Sequence, residues 1–200
     1  MKYFSQVKAA LFVASLFPLL RLSWFAFSDQ LGANPIELIT RSLGTWTLVF
    51  LLITLSITPL RKLSGWNWLI KLRRMAGLFA FFYALLHFIT YIWLDQFFDL
   101  SSIYKDVIKR PFITIGFAAF ILLIPLAVTS TNAMMKKLGG KNWQILHRLV
   151  YLIAVFAVVH YWWLVKKDLT QPIIYATVLA VLLGYRLWAS KNRQKLVKAL

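Results

Sequence analysis

Six apolar stretches constrain the fold of this 200-residue chain more than any other feature of its sequence. Each is close to the ~20 residues that a helix needs to cross a bilayer. They cover about residues 7–27, 43–60, 75–94, 111–129, 147–165 and 170–188. Hydrophobic residues make up 60% of the sequence and charged residues only 14%, so a soluble fold of this size would expose a very large apolar surface. Because the connections are short, the sequence predicts one all-α membrane domain over residues 1–200, a bundle of six transmembrane helices.

The charged residues divide between the two sides of the predicted bundle. All six acidic residues fall on one side, namely Asp29, Glu37, Asp95, Asp99, Asp106 and Asp168. Sixteen of the 23 basic residues fall on the other side, namely Lys2, Lys8, Arg61, Lys62, Lys71, Arg73, Arg74, Lys136, Lys137, Lys141, Arg148, Arg186, Lys191, Arg193, Lys195 and Lys198. By the positive-inside rule, the basic side is cytoplasmic and both termini lie there. The net charge of +17 therefore indicates contact with anionic lipid headgroups and not a nucleic-acid partner.

The first apolar stretch has an alternative interpretation as a cleaved signal peptide. Lys2 and Lys8 precede the stretch, and Ala26 and Ser28 follow it with Phe27 between them. Arg21, however, interrupts the apolar run. We expect the stretch to be retained as the first helix, because retention gives six spans and a consistent division of charge, whereas cleavage would leave five spans.

Histidine is the leading candidate for a metal ligand in this chain. The sequence contains no cysteine, which excludes disulfides, thiolate ligation of haem and cysteine-bound iron–sulfur clusters. Two of the three histidines, His87 and His160, lie inside the third and fifth apolar stretches. A polar side chain is costly there and usually faces the interior of a bundle. Because neutral imidazole is a common axial ligand of haem iron, both residues are candidate haem ligands.

The two intramembrane histidines are predicted to lie at matching depth. Both stretches run from the basic side to the acidic side; His87 lies 12 residues after Met75, and His160 lies 13 residues after His147. At ~1.5 Å per residue, both imidazoles are about 18–20 Å from the cytoplasmic helix starts. Two histidines at one depth on parallel helices predict a single haem b that is clamped from both faces.

Two other roles for His87 and His160 stay open at this point. Each imidazole can instead donate a hydrogen bond to a neighbouring helix. A zinc ion is a weaker candidate, because no carboxylate or further histidine lies at the same depth to complete its coordination. The matched depth of the pair favours haem over both alternatives.

His147, at the cytoplasmic start of the fifth stretch, is a candidate ligand of a second haem. It lies 13 residues before His160, or ~20 Å along an ideal helix, which suits two stacked haems. Two observations oppose this role: the residue 13 positions before His87 is Arg74, and thirteen steps of ~100° rotate His147 about 140° away from His160. A second haem would therefore need ligation by a single histidine, an unusual second ligand, or a local rewinding of the helix. Otherwise His147 is an interfacial residue that contacts headgroups or a cytoplasmic cofactor.

Arg73, Arg74 and Arg148 predict an anion-binding cluster at the cytoplasmic mouth of the bundle. Guanidinium groups bind carboxylates and phosphates through forked, charge-assisted hydrogen bonds. The three arginines are therefore candidate cofactor-binding residues for haem propionates or a flavin phosphate, with lipid phosphate as the default ligand.

Six short motifs, distributed in order along nearly the whole chain, resemble the MsrQ family. They are LGANP at 31–35, LRRMAGL at 72–78, LH at 86–87, RPF at 110–112, TSTNAM at 129–134 and WQILHRLVY at 143–151. MsrQ is the haem-binding membrane subunit of the bacterial methionine sulfoxide reductase system, within the ferric-reductase-like transmembrane superfamily. The ordered set of motifs is specific, whereas any one of them alone is not.

The resemblance implies a six-helix cytochrome b of the bacterial inner membrane, which passes electrons to the periplasmic molybdopterin enzyme MsrP for the repair of oxidised methionine in proteins. The family's histidine positions match His87, His147 and His160. The family is also associated with FMN, although no motif in this sequence locates an FMN site. Larger superfamily members carry two histidines on each of two helices, and Arg74 stands here in the position of one of them.

The sequence predicts electron transfer without catalysis on the final substrate. It contains no nucleophile constellation and no G-x-G-x-x-G that follows a strand and opens a helix, so we expect no dehydrogenase domain. Electrons are expected to come from membrane quinol or from a separate cytoplasmic flavin reductase. Two alternatives stay open: a self-contained ferric or quinone-linked reductase, and a non-redox transporter or scaffold.

Overall fold

The computed structural model describes the backbone of residues 3–198 and the side chains of residues 3–192. Every regular element in this part of the chain is helical. Its α-helices are, in chain order, α1 (Phe4–Phe27), α2 (Pro35–Ser64), α3 (Arg73–Thr90), α4 (Leu100–Lys109), α5 (Pro111–Val128), α6 (Asn132–Leu138), α7 (Gly140–His147), α8 (Leu149–Leu164) and α9 (Thr170–Lys198). A 3-10 helix (Asn67–Leu72) leads into α3, and a π-helix (Tyr91–Asp95) continues it.

Six helical segments are long and apolar enough to cross a membrane, which confirms the prediction of an all-α bundle with six spans. They are Phe4–Phe27, Pro35–Ser64, Asn67–Asp95, Pro111–Val128, Gly140–Leu164 and Thr170–Asn192. The fourth span begins at Pro111, as the sequence predicts. Proline is favoured at a first helical position because the N–H that it lacks would have no helical partner there.

The second span begins earlier than its apolar stretch indicates. α2 starts at Pro35 and not near residue 43, and the side-chain oxygen of Asn34 caps it by accepting a hydrogen bond of 3.2 Å from the Glu37 N–H. Glu37 also pairs with Arg41, one helical turn further on, at 2.6 Å. This first part of α2 is polar, and a search for apolar windows therefore misses it.

Three short helices occupy the segments that the sequence analysis treated as simple connections. α4 lies between α3 and α5, and its N-cap Asp99 accepts hydrogen bonds from the N–H groups of Ser101 and Ser102 at 2.9 and 3.2 Å. α6 and α7 lie between α5 and α8. The prediction that the fifth span begins at His147 was therefore wrong, because this helical segment begins at Gly140 and is interrupted at Arg148.

Two helix pairs, α2 with α3 and α5 with α8, form the body of the bundle. Aromatic rings attach α1 to the first pair: the buried Phe50 stacks on Phe79 with centroids 5.4 Å apart, and the exposed Phe12 of α1 lies edge-on to Phe79 at 5.2 Å. The ring of Tyr83 is fully buried, and its hydroxyl donates a hydrogen bond of 2.7 Å to the Ser15 carbonyl oxygen of α1. These contacts hold α1 against the α2–α3 pair.

Pro59, inside α2, leaves a carbonyl oxygen that another helix satisfies. Because proline has no N–H, the Leu55 carbonyl oxygen four residues earlier lacks its helical partner. The Arg186 guanidinium of α9 donates to this oxygen from Nη2 at 2.8 Å, and to the Tyr151 hydroxyl of α8 from Nη1 at 2.7 Å. One side chain thereby connects α2, α8 and α9, as expected where a membrane helix contains proline.

The charged residues lie at the two ends of the bundle. The segments that join α1 to α2, α3 to α5 and α8 to α9, with the adjoining helix ends, carry all six acidic residues, and we call this the acidic end. The opposite end, here the basic end, contains the start of α1, the α2–α3 connection and the segment from α6 to the start of α8. Four of the residues that the sequence analysis placed on the basic side, Lys2, Arg193, Lys195 and Lys198, lie outside the described side chains.

Tyr83→Phe is expected to lower the thermal stability of the protein. The change keeps the buried ring and removes the hydrogen bond to α1, which contributes about 1 kcal/mol, so the unfolding midpoint in detergent should fall by about 2–4 °C. Tryptophan fluorescence during heating measures this midpoint. Tyr104→Phe, on the exposed face of α4, is the matched control and should leave it unchanged. Equal midpoints for the two variants would show that the bond between α1 and α3 contributes nothing.

Candidate functional site

The structure brings His87 and His160 together. His87 lies in α3 and His160 in α8, and their ring centroids are 6.2 Å apart with an angle of 74° between the ring planes. α3 and α8 belong to different helix pairs, so the two imidazoles meet where the α2–α3 pair faces the α5–α8 pair. The two residues that were predicted to lie at one depth are thus neighbours.

Each imidazole is bound to the backbone of an adjacent helix. Nδ1 of His87 is 2.8 Å from the Thr40 carbonyl oxygen of α2, and Nδ1 of His160 is 2.6 Å from the Phe112 carbonyl oxygen of α5. A carbonyl oxygen can only accept a hydrogen bond, so Nδ1 carries the proton in both rings. The lone pair of each neutral imidazole is therefore on Nε2, where it is available to a metal ion.

A glycine makes room for each imidazole. Gly44 lies one helical turn after the carbonyl that binds His87, and a Cβ atom on it would lie 3.1 Å from Cε1 and 3.2 Å from Nδ1 of that ring. Gly116 lies one turn after the carbonyl that binds His160, and a Cβ atom there would lie 2.6 Å from Nδ1 and 2.8 Å from Cε1. The two histidines thus have the same local arrangement: each ring lies against a glycine and donates to the carbonyl four residues before that glycine.

The separation of the two rings fits one iron atom between them. Two metal–nitrogen bonds of about 2.0–2.1 Å, with roughly 1 Å from each nitrogen to its ring centre, place two imidazole centres about 6 Å apart on opposite sides of one metal ion. The observed separation is 6.2 Å. A backbone carbonyl that accepts from the other ring nitrogen is also a usual partner of a metal-bound histidine. The donor pair and its hydrogen bonds therefore fit the axial ligation of haem iron.

The surroundings of the His87–His160 pair suit a metal ion whose other ligands come from a cofactor. Between residues 3 and 192, no group of three or more His, Cys, Asp or Glu side chains is close enough to hold a metal ion. Zinc takes four ligands in structural sites and three protein ligands in catalytic ones, and two imidazoles provide neither set. Haem iron is already held by the macrocycle and needs only axial ligands, so the pair is better suited to haem than to zinc.

His147 has different surroundings from the intramembrane pair. The indole of Trp143 stacks on its ring with centroids 3.9 Å apart, and its Nε2 is 3.1 Å from the hydroxyl oxygen of Thr129. That hydroxyl donates to the Pro125 carbonyl oxygen at 2.6 Å, so it accepts from His147, and Nε2 carries the proton. Nδ1 is therefore the nitrogen of His147 that is available to a metal ion.

The helix between His147 and His160 is not an ideal one. α7 ends at His147, and hydrogen bonds of 3.1 Å join the Arg148 N–H to the Ile145 carbonyl and the Tyr151 N–H to the Arg148 carbonyl. This three-residue spacing is that of a 3-10 turn. The predicted rotation of about 140° between the two histidines assumed an uninterrupted helix, and it does not apply to this segment.

The three predicted arginines lie on two parts of the basic end: Arg73 and Arg74 at the start of α3, and Arg148 between α7 and α8. Arg74 donates from Nη1 to the side-chain oxygen of Asn132 in α6 at 2.6 Å. Arg73 is half-buried, whereas Arg148 is exposed at the break between α7 and α8. Both Arg73 and Arg74 lie within electrostatic reach of His147. The basic end therefore surrounds His147 with positive charge.

The three histidines are recognisable in the sequence, whereas the residues that position them are not. Gly44 and Gly116 lie in apolar stretches, where an isolated glycine carries no functional signal. One signal could have identified them. Small residues let membrane helices approach closely, and a glycine at the depth of an intramembrane histidine indicates such a contact. Thr129 and Trp143 lie within motifs that were noted, but their contacts with His147 depend on the turn at Arg148.

More than half of the chain matches a known protein family. Residues 42–158 match the family described as ferric reductase like transmembrane component. The matched range includes His87 and His147 and ends two residues before His160. The six-span fold and this match define a transmembrane component of the ferric-reductase-like class.

Three curated relatives are similar to nearly the whole chain, and each is named as the haem-binding subunit MsrQ of protein-methionine-sulfoxide reductase. The relative from Herminiimonas arsenicoxydans is 63% identical over 94% of this chain and 88% of its own length. The relatives from Azospira oryzae and Ralstonia nicotianae are 59% and 55% identical over 91% of this chain, and over 78% and 85% of their own lengths. The chain belongs to the MsrQ family, as its sequence motifs indicated.

Proposed function

We propose that this chain is a membrane cytochrome b, with a haem b held between His87 and His160, and that it transfers electrons to a partner enzyme. The observation that carries the proposal is the pair of imidazole rings with centroids 6.2 Å apart, each with Nδ1 bound to a backbone carbonyl oxygen. The names of the curated relatives, which describe haem-binding subunits, support the same assignment.

The residues around the pair have separate roles in this proposal. Haem, when bound there, supplies a one-electron carrier. The Thr40 and Phe112 carbonyl oxygens fix the tautomer and the orientation of the two rings, and they increase the basicity of the ligating nitrogens. The apolar helices on both sides limit access of water, which together with ligand basicity sets the reduction potential.

The proposed direction of electron transfer is toward the acidic end. By the positive-inside rule, the basic end faces the cytoplasm and the acidic end faces the periplasm of a bacterial inner membrane. His87 lies eight residues before the end of its span and His160 lies four, so both rings are about 6–12 Å from the acidic end along their helices. An acceptor docked in the periplasm can therefore approach the site closely. We propose that this acceptor is the molybdopterin enzyme MsrP, in support of the repair of oxidised periplasmic proteins.

The electron donor is proposed to be membrane quinol or a cytoplasmic flavin reductase. The part of the chain that the structure describes contains helices as its regular elements and no strand on which a dinucleotide-binding fold could be built. Oxidation of a nicotinamide cofactor is therefore assigned to another protein. In this proposal the chain is the electron-transfer subunit, and sulfoxide reduction takes place on the partner.

A second cofactor at the basic end is a further part of the proposal. One candidate is a second haem with His147 as its ligand, which the free Nδ1 of that ring supports. The other is FMN, whose phosphate would bind to Arg73, Arg74 or Arg148. The positive charge around His147 supports either candidate, because both carry anionic groups.

Removal of either intramembrane histidine is expected to abolish the same low-spin haem signal. If both imidazoles ligate one iron, loss of either leaves only one axial ligand, and the low-spin signal of the bis-histidine iron is lost. Reduced-minus-oxidised absorption spectra of detergent-purified His87→Ala and His160→Ala measure this, with haem counted per chain by a pyridine haemochrome assay. A low-spin signal that persists in either variant would rule out a shared haem.

Replacement of His147 has a different expected result. His147→Ala should retain the low-spin signal of the intramembrane pair, because its ring lies near the basic end and is bound to Thr129. The same absorption spectra test this, and the loss of a second spectral component would assign His147 to a second haem. Loss of all haem from a well-folded His147→Ala variant would contradict the separation of the two sites.

Gly116→Ala is expected to lower haem occupancy more than Gly44→Ala. The new Cβ atom would lie 2.6 Å from His160 in the first variant and 3.1 Å from His87 in the second, so the first ring must move further from its carbonyl partner. Haem per chain and the reduction potential measure the effect. Gly184→Ala in α9 is the control, because a Cβ atom there meets nothing within 4 Å. Wild-type occupancy and potential in Gly116→Ala would show that the glycine does not position the ring.

A further inference from the structure

The guanidinium of Arg186 extends from α9 to two other helices. It donates to the Leu55 carbonyl oxygen at 2.8 Å and to the Tyr151 hydroxyl at 2.7 Å, and its central carbon lies 5.0 Å from the centroid of the Tyr151 ring. Nε of Arg186 is buried and has no hydrogen-bond partner among the described residues. The contacts that hold this charge in place are therefore all with formally neutral groups.

Arg73 links Arg186 electrostatically to a third arginine, Arg61. Arg61 is in the last turn of α2 and Arg73 begins α3; both are half-buried, and Arg73 is within electrostatic reach of Arg61 and Arg186. We call Arg61, Arg73 and Arg186 the arginine cluster. Within residues 3–192, the ion pairs are Arg41 with Glu37 and Arg110 with Asp106, and neither reaches this cluster.

No acidic side chain is available to neutralise the arginine cluster. All six acidic residues of the chain lie at the acidic end, across ~30 Å of hydrocarbon. Partly buried charges of the same sign repel one another, and a buried charge is costly unless an opposite charge pairs with it. The cluster therefore concentrates positive charge that no acidic side chain of the described residues compensates.

We propose that the arginine cluster binds the phosphate group of an anionic phospholipid from the leaflet at the basic end. Phosphate fits because guanidinium groups donate paired, charge-assisted hydrogen bonds to its oxygens, and the half-buried Arg61 and Arg73 side chains are accessible to it. A lipid fits because Arg61 and Arg73 lie near the ends of their spans, at the level of the headgroups. The bound phosphate connects α2, α3 and α9, and it adds to the link between α2 and α9 that Arg186 makes beside Pro59.

The proposed lipid site is distinct from the environment of Arg74. Arg74 follows Arg73 in the sequence, but its side chain donates to Asn132 of α6. The proposal rests on the six-span fold and on the distribution of charge, and it does not depend on the proposed haem function.

The test is retention of lipid by the full chain purified in detergent, measured by native mass spectrometry with phosphatidylglycerol and phosphatidylcholine as probes. Wild type should retain one phosphatidylglycerol in preference to phosphatidylcholine. Arg73→Gln and Arg61→Gln should each weaken this binding about tenfold, as expected for the loss of one charge-assisted hydrogen bond. Lys62→Gln is the matched control: it removes the same charge from an exposed neighbour of Arg61 and should leave binding within about twofold of wild type.

Arg186→Gln should weaken retention of phosphatidylglycerol as well, but it also removes the bonds to Leu55 and Tyr151. If this variant does not fold, the Arg61 and Arg73 variants decide the question, because neither of those side chains has a bond of this kind in the described residues. Thermal unfolding in nanodiscs gives a second readout. Phosphatidylglycerol should raise the unfolding midpoint of wild type relative to phosphatidylcholine, and this difference should shrink in Arg73→Gln.

Three results would overturn the proposal. The first is equal retention of phosphatidylglycerol by wild type, Arg61→Gln and Arg73→Gln. The second is displacement of the lipid by inorganic phosphate or FMN, which would assign the cluster to a soluble phosphate ligand. The third is a lower haem content in Arg73→Gln with unchanged lipid retention, which would assign Arg73 to haem carboxylates.

Discussion

A polar group inside a bilayer must find its hydrogen-bond partner within the protein, and this requirement underlies the main contacts of the bundle. His87 and His160 meet it by donating Nδ1–H to backbone carbonyl oxygens of α2 and α5. Arg186 meets it at the carbonyl that Pro59 leaves without a partner. Because lipid tails are as apolar as leucine, burial of apolar side chains contributes little to helix association, and such polar contacts help to determine which helices lie side by side.

The two imidazoles owe their geometry to a motif that occurs twice. In each helix pair, a glycine on one helix accommodates a histidine of the other, and the carbonyl one turn earlier fixes the proton on Nδ1. Each ring is thus restrained by a hydrogen bond from Nδ1 and by close contact with a glycine. In the proposed haem site, imidazoles held in this way would be preorganised, so a change of charge there would require little rearrangement of the protein.

Hydropathy and depth were sufficient to predict the six spans and the neighbouring positions of His87 and His160. They did not predict that α2 begins at Pro35, because a polar first turn capped by Asn34 has no apolar signal. The 3-10 turn at Arg148 and the stacking of Trp143 on His147 were also missed, since both depend on contacts between α5, α7 and α8. Gly44 and Gly116 could not be recognised, because their role depends on which ring faces them and not on local sequence.

The most direct test of the shared haem site is the electron paramagnetic resonance spectrum of the oxidised, haem-loaded chain. The His87 and His160 ring planes are 74° apart, which is close to perpendicular. If both rings ligated one haem iron in this orientation, the two iron orbitals that interact with them would be similar in energy. A low-spin ferric signal with strongly anisotropic g-values is expected if both proposed ligands are histidines with nearly perpendicular rings. A predominantly high-spin signal would contradict it, since the iron would then lack one of the two imidazoles, and so would the rhombic low-spin signal that is typical of parallel rings.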